Sequence, residues 1–158
     1  MPIIKIETDI NSPIDIVFDL SRSIDLHRIS TQQTNEEAIA GVTSGLIGMN
    51  EWVTWRARHF GVYQKLTSRI TSFEKPFYFV DEMEKGIFQY FKHEHIFQEI
   101  GEQTRMIDVF DYGSPLGIFG KVAYKLFLEE YMRKFLEKRN NTIKAFAESN
   151  DWKKILKN

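Results

Sequence analysis

Cysteine is missing altogether from the 158 residues, so disulfides, thiolate nucleophiles and cysteine-based zinc or iron–sulfur sites are excluded. No uncharged apolar run approaches the roughly 20 residues needed to cross a bilayer. The opening MPIIKIETDINSP carries Lys5, Glu7 and Asp9 where a signal peptide would be apolar, which sets the expectation of a cytoplasmic protein without a membrane span. An excess of one charge is lacking too. Twenty-one basic residues face 22 acidic ones for a formal net charge of -1, which gives no field for nonspecific nucleic-acid binding. Repeats, low-complexity tracts and a second-domain linker are also absent, so the expectation is a single domain over 1–158, with its core over about 3–148 and a lysine-rich tail, 149–158, free to fray. What is abundant is aromatic surface: 13 Phe, 6 Tyr and 3 Trp suit a large core and a hydrophobic cavity equally well.

Along the chain, PIIKIETDI alternates, with Ile4, Ile6, Thr8 and Ile10 on one face, and reads as a half-buried strand. NSPIDIVFDLSRS then offers Ser12 as a helix N-cap, Pro13 at the first helical position and Asp15 in the first turn. A second short helix is expected over Ile24 to Ile29. NEEAIAGV is compatible with a short strand, and GVTSGLIGMN is a loop. Its glycines, Gly41, Gly45 and Gly48, match neither a P-loop nor G-x-G-x-x-G, so they are assigned to turn chemistry. From 50 to 113 five strands follow one another, broken at Gly61, Lys75-Pro76, Gly86 and Gly101-Glu102. Connections this short imply an antiparallel meander. Finally Ser114 and Pro115 open a helix of roughly 30 residues, whose apolar stripe is read as Leu116, Phe119, Ala123, Leu126, Phe127, Phe135, Ile143 and Phe146.

The segments SPIDIVFDLSRSIDLH, GVTSGLIGMNEWVTWRARHFGV, F.DEM.KG.F..F.H.H.F and YGSPLGIFGKVAYKLFLEEYMRKFLEKRN, in that order, together resemble bacterial proteins of the SRPBCC superfamily, the START-like or Bet v 1-like proteins. The likeness runs from about Ile4 to about Ala147 and is nearest to an uncharacterised ligand-binding branch. It implies an α+β helix-grip fold: an antiparallel sheet wrapped around a long C-terminal helix, with two short helices after the first strand and a hydrophobic pocket between. That superfamily includes carriers, cyclases, oxygenase domains and chaperone activators, so the likeness leaves function open.

If each strand turns its more apolar face inward, the inward residues are Val53, Trp55, Ala57 and His59, then Val62, Gln64, Leu66, Ser68 and Ile70. Phe77, Phe79, Asp81 and Met83 follow, then Phe91, His93, His95 and Phe97, and finally Met106, Asp108, Phe110 and Tyr112. Within that set the expected ligand pocket is Trp55, His59, Leu66, Phe79, Asp81, Phe91, His93, His95, Asp108, Phe110 and Tyr112, joined by Phe119 and Ala123 of the long helix. The histidines admit three readings. H-x-H on a strand can supply two metal ligands, with His59, Asp81 or Asp108 as others. A His–Asp pair can act as a general base. Or the imidazoles and carboxylates simply satisfy one another inside the sheet. The expectation drawn is a non-enzymatic carrier or sensor that binds a small hydrophobic molecule, with no metal, no cofactor, no nucleic acid and an undetermined oligomeric state. Its alternatives are a cyclase- or hydrolase-type enzyme using a His–Asp pair in the same pocket, and an interaction module with a filled core.

Overall fold

The computed structural model describes residues 3–114 and 122–157, the side chains of 122–124 excepted. In chain order these form β1 (Ile3–Ile10), α1 (Ile14–Ser21), α2 (Ile24–Ser30), a 3-10 turn (Gln32–Thr34), β2 (Glu37–Gly41), β3 (Trp52–His59), β4 (Val62–Glu74), β5 (Tyr78–Lys85), β6 (Tyr90–Ile100), β7 (Gln103–Gly113), α3 (Val122–Glu148) and α4 (Trp152–Ile155). The seven strands make one sheet in the order β1-β7-β6-β5-β4-β3-β2, and every pairing is antiparallel. Strands β3 to β7 lie beside their sequence neighbours because short turns join them, and β2 pairs with β3 across the ten-residue connection 42–51. β1 closes the far edge on β7, with Ile3 opposite Asp111. This is the helix-grip arrangement, with α3 lying across the concave face.

Two apolar clusters fill the interior. One surrounds Phe18 of α1, whose ring meets Phe73, Phe79 and Phe97 edge-on at centroid distances of 5.4, 5.4 and 5.2 Å. Edge-to-face pairs of this kind add about 0.5–1.5 kcal/mol each beyond the area they bury. The other joins Ile4, Phe91, Phe110 and Tyr112 of the sheet to Leu128 and Leu136 of α3. On β6 the alternation is strict: Phe91, His93, His95 and Phe97 are all buried, while Lys92 and Gln98 are exposed.

Several local expectations are corrected. Ser12 does not cap α1. Pro13 takes the cap position with an extended backbone and no side-chain cap bond, so the helix starts at Ile14, and Ser12 instead offers its carbonyl to Thr104 Oγ1 at 2.8 Å. The side-chain cap belongs to α2, where Ser23 Oγ accepts the Leu26 amide at 3.1 Å. Phe77 precedes β5 and is exposed. On α3 the expected stripe holds in the second half, where Ile143 is buried and Phe135 and Phe146 face inward, but Leu126 and Phe127 face outward and Leu128, Leu136 and Ala147 are buried together with the polar Arg139 and Asn140. One or two residues along a helix is 100–200° around it, enough to exchange inner and outer faces. Ser114 lies at the edge of the described chain. The expected helix start at Pro115, with Leu116 and Phe119, and the Ala123 side chain lie outside the described residues.

Gly41 ends β2 with φ +76°, and a Cβ there would meet the Trp52 carbonyl oxygen at 2.2 Å, so this glycine is required by close approach as well as by conformation. The tail does not simply fray. It turns back as α4, and Trp152, Ile155 and Leu156 pack against the cluster around Phe18. Trp152→Ala is therefore expected to lower the unfolding free energy by about 1–2 kcal/mol, with Lys153→Ala close to neutral. Urea titration followed by circular dichroism measures both, and equal, negligible changes would show that the tail contributes nothing.

Candidate functional site

A cavity of about 540 Å³ lies between the sheet and α3. Its walls are set by the pleat. Trp55 and His59 reach in from β3, Leu66 from β4, Phe79 and Asp81 from β5, Phe91, His93 and His95 from β6, and Phe110 from β7. α3 covers them with Leu128, Tyr131, Met132, Phe135, Leu136 and Arg139, and α1 and α2 close one side with Arg22 and His27. Asp108 and Tyr112 are not on this wall. Asp108 is fully buried behind His93, and Tyr112 is buried behind Phe110, with ring centroids 5.3 Å apart. The Tyr112 hydroxyl has no hydrogen-bond partner among the described residues, and burial pushes its pKa up to about 12.

At the cavity floor one buried carboxylate organises the polar groups. Asp108 Oδ1 accepts from His93 Nε2 at 2.8 Å and from Arg139 Nη1 at 3.3 Å, and its Oδ2 accepts from Asn140 Nδ2 at 2.7 Å. Arg139 continues to the Ser21 carbonyl at 3.1 Å and to the Asn140 side-chain oxygen at 3.0 Å. Burial alone would raise the Asp108 pKa. The His93 hydrogen bond and the Arg139 charge outweigh it and hold the carboxyl well below the usual carboxylate range. Asp81 follows the same logic. Burial pushes it up, but the His95 hydrogen bond at 2.7 Å and the positive charge nearby win, so it stays ionised below its ordinary value.

His95 is the reverse case. Burial drives its pKa down to about 4, the neighbouring His93 imidazole lowers it further, and the Asp81 hydrogen bond opposes them. A neutral ring that donates from Nε2 to Asp81 must carry its lone pair on Nδ1, and Nδ1 faces Arg139 Nη2 at 3.5 Å, a donor. Phe79 stacks on one face of this ring at 4.1 Å and His93 on the other at 3.8 Å. His93 spends Nε2 on Asp108, while its Nδ1 lies 3.9 Å from Asp81 Oδ2, too far for a hydrogen bond, and so remains available to the cavity.

Asp81, His93 and His95 bring ligand atoms within 4.8 Å of one another, which meets the spacing a metal ion requires. To ligate through Nε2, His95 would have to give up its bond to Asp81 and move its proton to Nδ1, which lies 3.5 Å from Arg139 Nη2 and 3.4 Å from Asp108 Oδ1. The third sequence-predicted histidine, His59, stands apart from this group. Its Nδ1 pairs with Tyr131 of α3 at 2.6 Å, and burial lowers its pKa. Sequence parity missed Arg139, Asn140, Tyr131, His27 and Glu36, which lie on helices and a strand edge where alternation gives no signal. The signal available for Arg139 and Asn140 was their position on the helical stripe through Leu136 and Ile143.

No protein-family model matches the chain, and no curated protein matches it. Solved structures do. TTHA0849 from Thermus thermophilus superposes with a TM-score of 0.71 at 19% identity, over 91% of this chain and 98% of that one. The Zhui aromatase/cyclase from Streptomyces sp. R1128 gives 0.68 at 15% identity, over 93% of each chain. The ginseng major latex-like protein 151 from Panax ginseng gives 0.65 at 15% identity, over 94% of this chain and 98% of that one. The chain thus has the Bet v 1-like, SRPBCC fold. None of the described helices is long and apolar enough to cross a membrane.

Two outcomes follow from the floor network. Asp108→Asn leaves the Arg139 guanidinium buried without its counter-charge and is expected to cost about 3–5 kcal/mol, whereas Asp108→Leu combined with Arg139→Met recovers much of that loss. Urea midpoints of the single and double variants decide it, and additive losses would contradict the pairing. The His95 contribution has a defined sign. Its folded pKa of about 4 lies below the ordinary 6.5, so stability is fully present above pH 6.5 and is lost as pH falls toward 4, on the order of 3 kcal/mol in total. His95→Gln should flatten this limb in unfolding curves taken from pH 7 to pH 4, and an unchanged slope would place the titration elsewhere.

Proposed function

We propose that the protein binds a small hydrophobic molecule between sheet and α3, as a carrier or sensor. The observation that carries this reading is the cavity itself. A space of about 540 Å³ with a largely apolar wall and a few convergent polar groups is of the size and character of small-molecule sites. Apolar surface of the ligand supplies the affinity at about 25 cal/mol per Å² buried. Asp81, with Oδ2 held by His95 and Oδ1 unclaimed by any described residue, orients a donor on the ligand, and His93 Nδ1 stands beside it. His93→Ala is accordingly expected to change which ligands bind more than it changes the fold.

A second reading rests on His93. With Nε2 fixed on Asp108 and Nδ1 turned to the cavity, it has the arrangement of a general base whose tautomer is set by a carboxylate, and a cyclase- or hydrolase-type reaction on a bound ring can use such a base. The aromatase/cyclase with the same fold is in line with this alternative.

Titration with 2-naphthol, followed by its fluorescence, tests the first reading. Binding is expected in the wild type, about tenfold weaker in Asp81→Asn, and absent in Leu136→Trp, which fills the space while keeping the thermal midpoint. Equal binding by the filled variant would remove the cavity from the account. Turnover of a bound aromatic substrate that disappears in His93→Ala, with binding retained, would favour the second reading, and binding without turnover the first.

A further inference from the structure

The cavity has a second polar end that the floor network does not use. Glu36, just before β2, is only 8% exposed and lies on the cavity wall. Its Oε1 accepts from His27 Nε2 at 2.8 Å, and the His27 ring is held against Trp55 at 4.4 Å. Its Oε2 takes no donor from any described residue. Close by, His59 gives Nδ1 to the Tyr131 hydroxyl at 2.6 Å, and its Nε2 has no partner among the described residues. The Glu36 charge reaches both: burial lowers the His59 pKa and raises that of Tyr131, while Glu36 favours the protonated form of each. A carboxylate oxygen on the cavity wall that no side chain or amide supplies with a donor is open to a donor brought by a ligand.

The floor repeats this chemistry. There Asp81 likewise has one oxygen on a histidine and one unclaimed. The two ends are spaced by α3. Tyr131 stands at the Glu36 end and Arg139 at the Asp81 end, and the helical rise over that interval is about 12 Å. Between them the wall is apolar, with Trp55, Leu66, Met132, Phe135 and Leu136.

We infer that the cavity takes an elongated, largely apolar molecule carrying a hydroxyl at each end, one donating to Asp81 and the other to Glu36. This rests on the ligand-binding reading above and narrows it to a class of rigid diols and bis-phenols. A carboxylate at either end of the ligand would face a like charge. An ammonium at the floor would face the Arg139 guanidinium. A neutral hydroxyl suits both ends.

The test is calorimetric titration with stilbene, 4-hydroxystilbene, 4,4′-dihydroxystilbene and stilbene-4,4′-dicarboxylate. The diol is expected to bind about tenfold more tightly than the mono-ol, and the dicarboxylate not at all. In Glu36→Leu the diol falls to the mono-ol's affinity while the mono-ol is unchanged. Should that variant fail to fold, the wild-type ranking of the four probes still decides. Stilbene, mono-ol and diol binding within about twofold of one another, or a dicarboxylate that binds as well as the diol, overturns the two-ended ligand and leaves the cavity reading standing. Binding by none of the four overturns the reading on which it rests.

Discussion

Taking a carboxylate out of water costs several kcal/mol unless charge and hydrogen bonds replace the lost hydration, and Asp108 is completely out of water. Its compensation comes from three side chains on two elements, His93 of β6 and Arg139 and Asn140 of α3. Through Arg139 the contact extends to the carbonyl of Ser21 at the end of α1, and through Asn140 to the Thr8 hydroxyl of β1. Sheet, long helix and short helices are thus tied to one point. Apolar packing holds the same elements together, but it is non-directional. The hydrogen bonds to Asp108 fix which residue of α3 faces which residue of the sheet, and so the rotation of the helix over the cavity.

That rotation accounts for how the interior divides. With Arg139 and Asn140 turned to the sheet, Leu128, Met132 and Leu136 must share the same face, and Leu126 and Phe127 are carried outward. The aromatic residues that the sequence holds in excess are then spent in two ways. Phe18, Phe73, Phe79 and Phe97 pack edge to face under α1 as a solid core, while Trp55, Phe91 and Phe110 stand as one wall of an open space. The polar groups of that space come from both sides, Asp81, His93 and His95 from the sheet and Tyr131 and Arg139 from α3.

The strand order and the inward parity of β3, β6 and β7 were legible in the sequence because alternation with a period of two survives wherever one sheet face is buried. Short turns at Gly61 and Gly101, both with positive φ, made the meander legible as well. The rest was obscured for definite reasons. Pro13 can stand at a helix cap or at its first turn, and the sequence does not say which, so the role given to Ser12 was misplaced. The face of the first half of α3, at Leu126 and Phe127, was misread because an apolar count around a mostly apolar segment has no sharp direction, whereas Ile143 and Phe146 of the second half were placed correctly. The exposure of Phe77 came from its position before the strand, where parity no longer applies. The short helix α4 has too few residues for periodicity, and only its contacts, made through Trp152, Ile155 and Leu156, reveal its place.

The pairing of β1 with β7 has a consequence for the order of events during synthesis. Ile10 cannot meet Thr104, nor Ile3 meet Asp111, until β7 has been synthesised, and α3, which covers the sheet, comes later still. Until then Ile4 and Ile10, both fully buried in the finished molecule, have no native partner strand. Contacts between residues so distant in sequence are slow to form and leave apolar surface uncovered in the meantime. The nascent chain therefore carries its first strand unpaired on the ribosome while the meander from β2 onward assembles hairpin by hairpin, and the domain closes at both ends only in its last third.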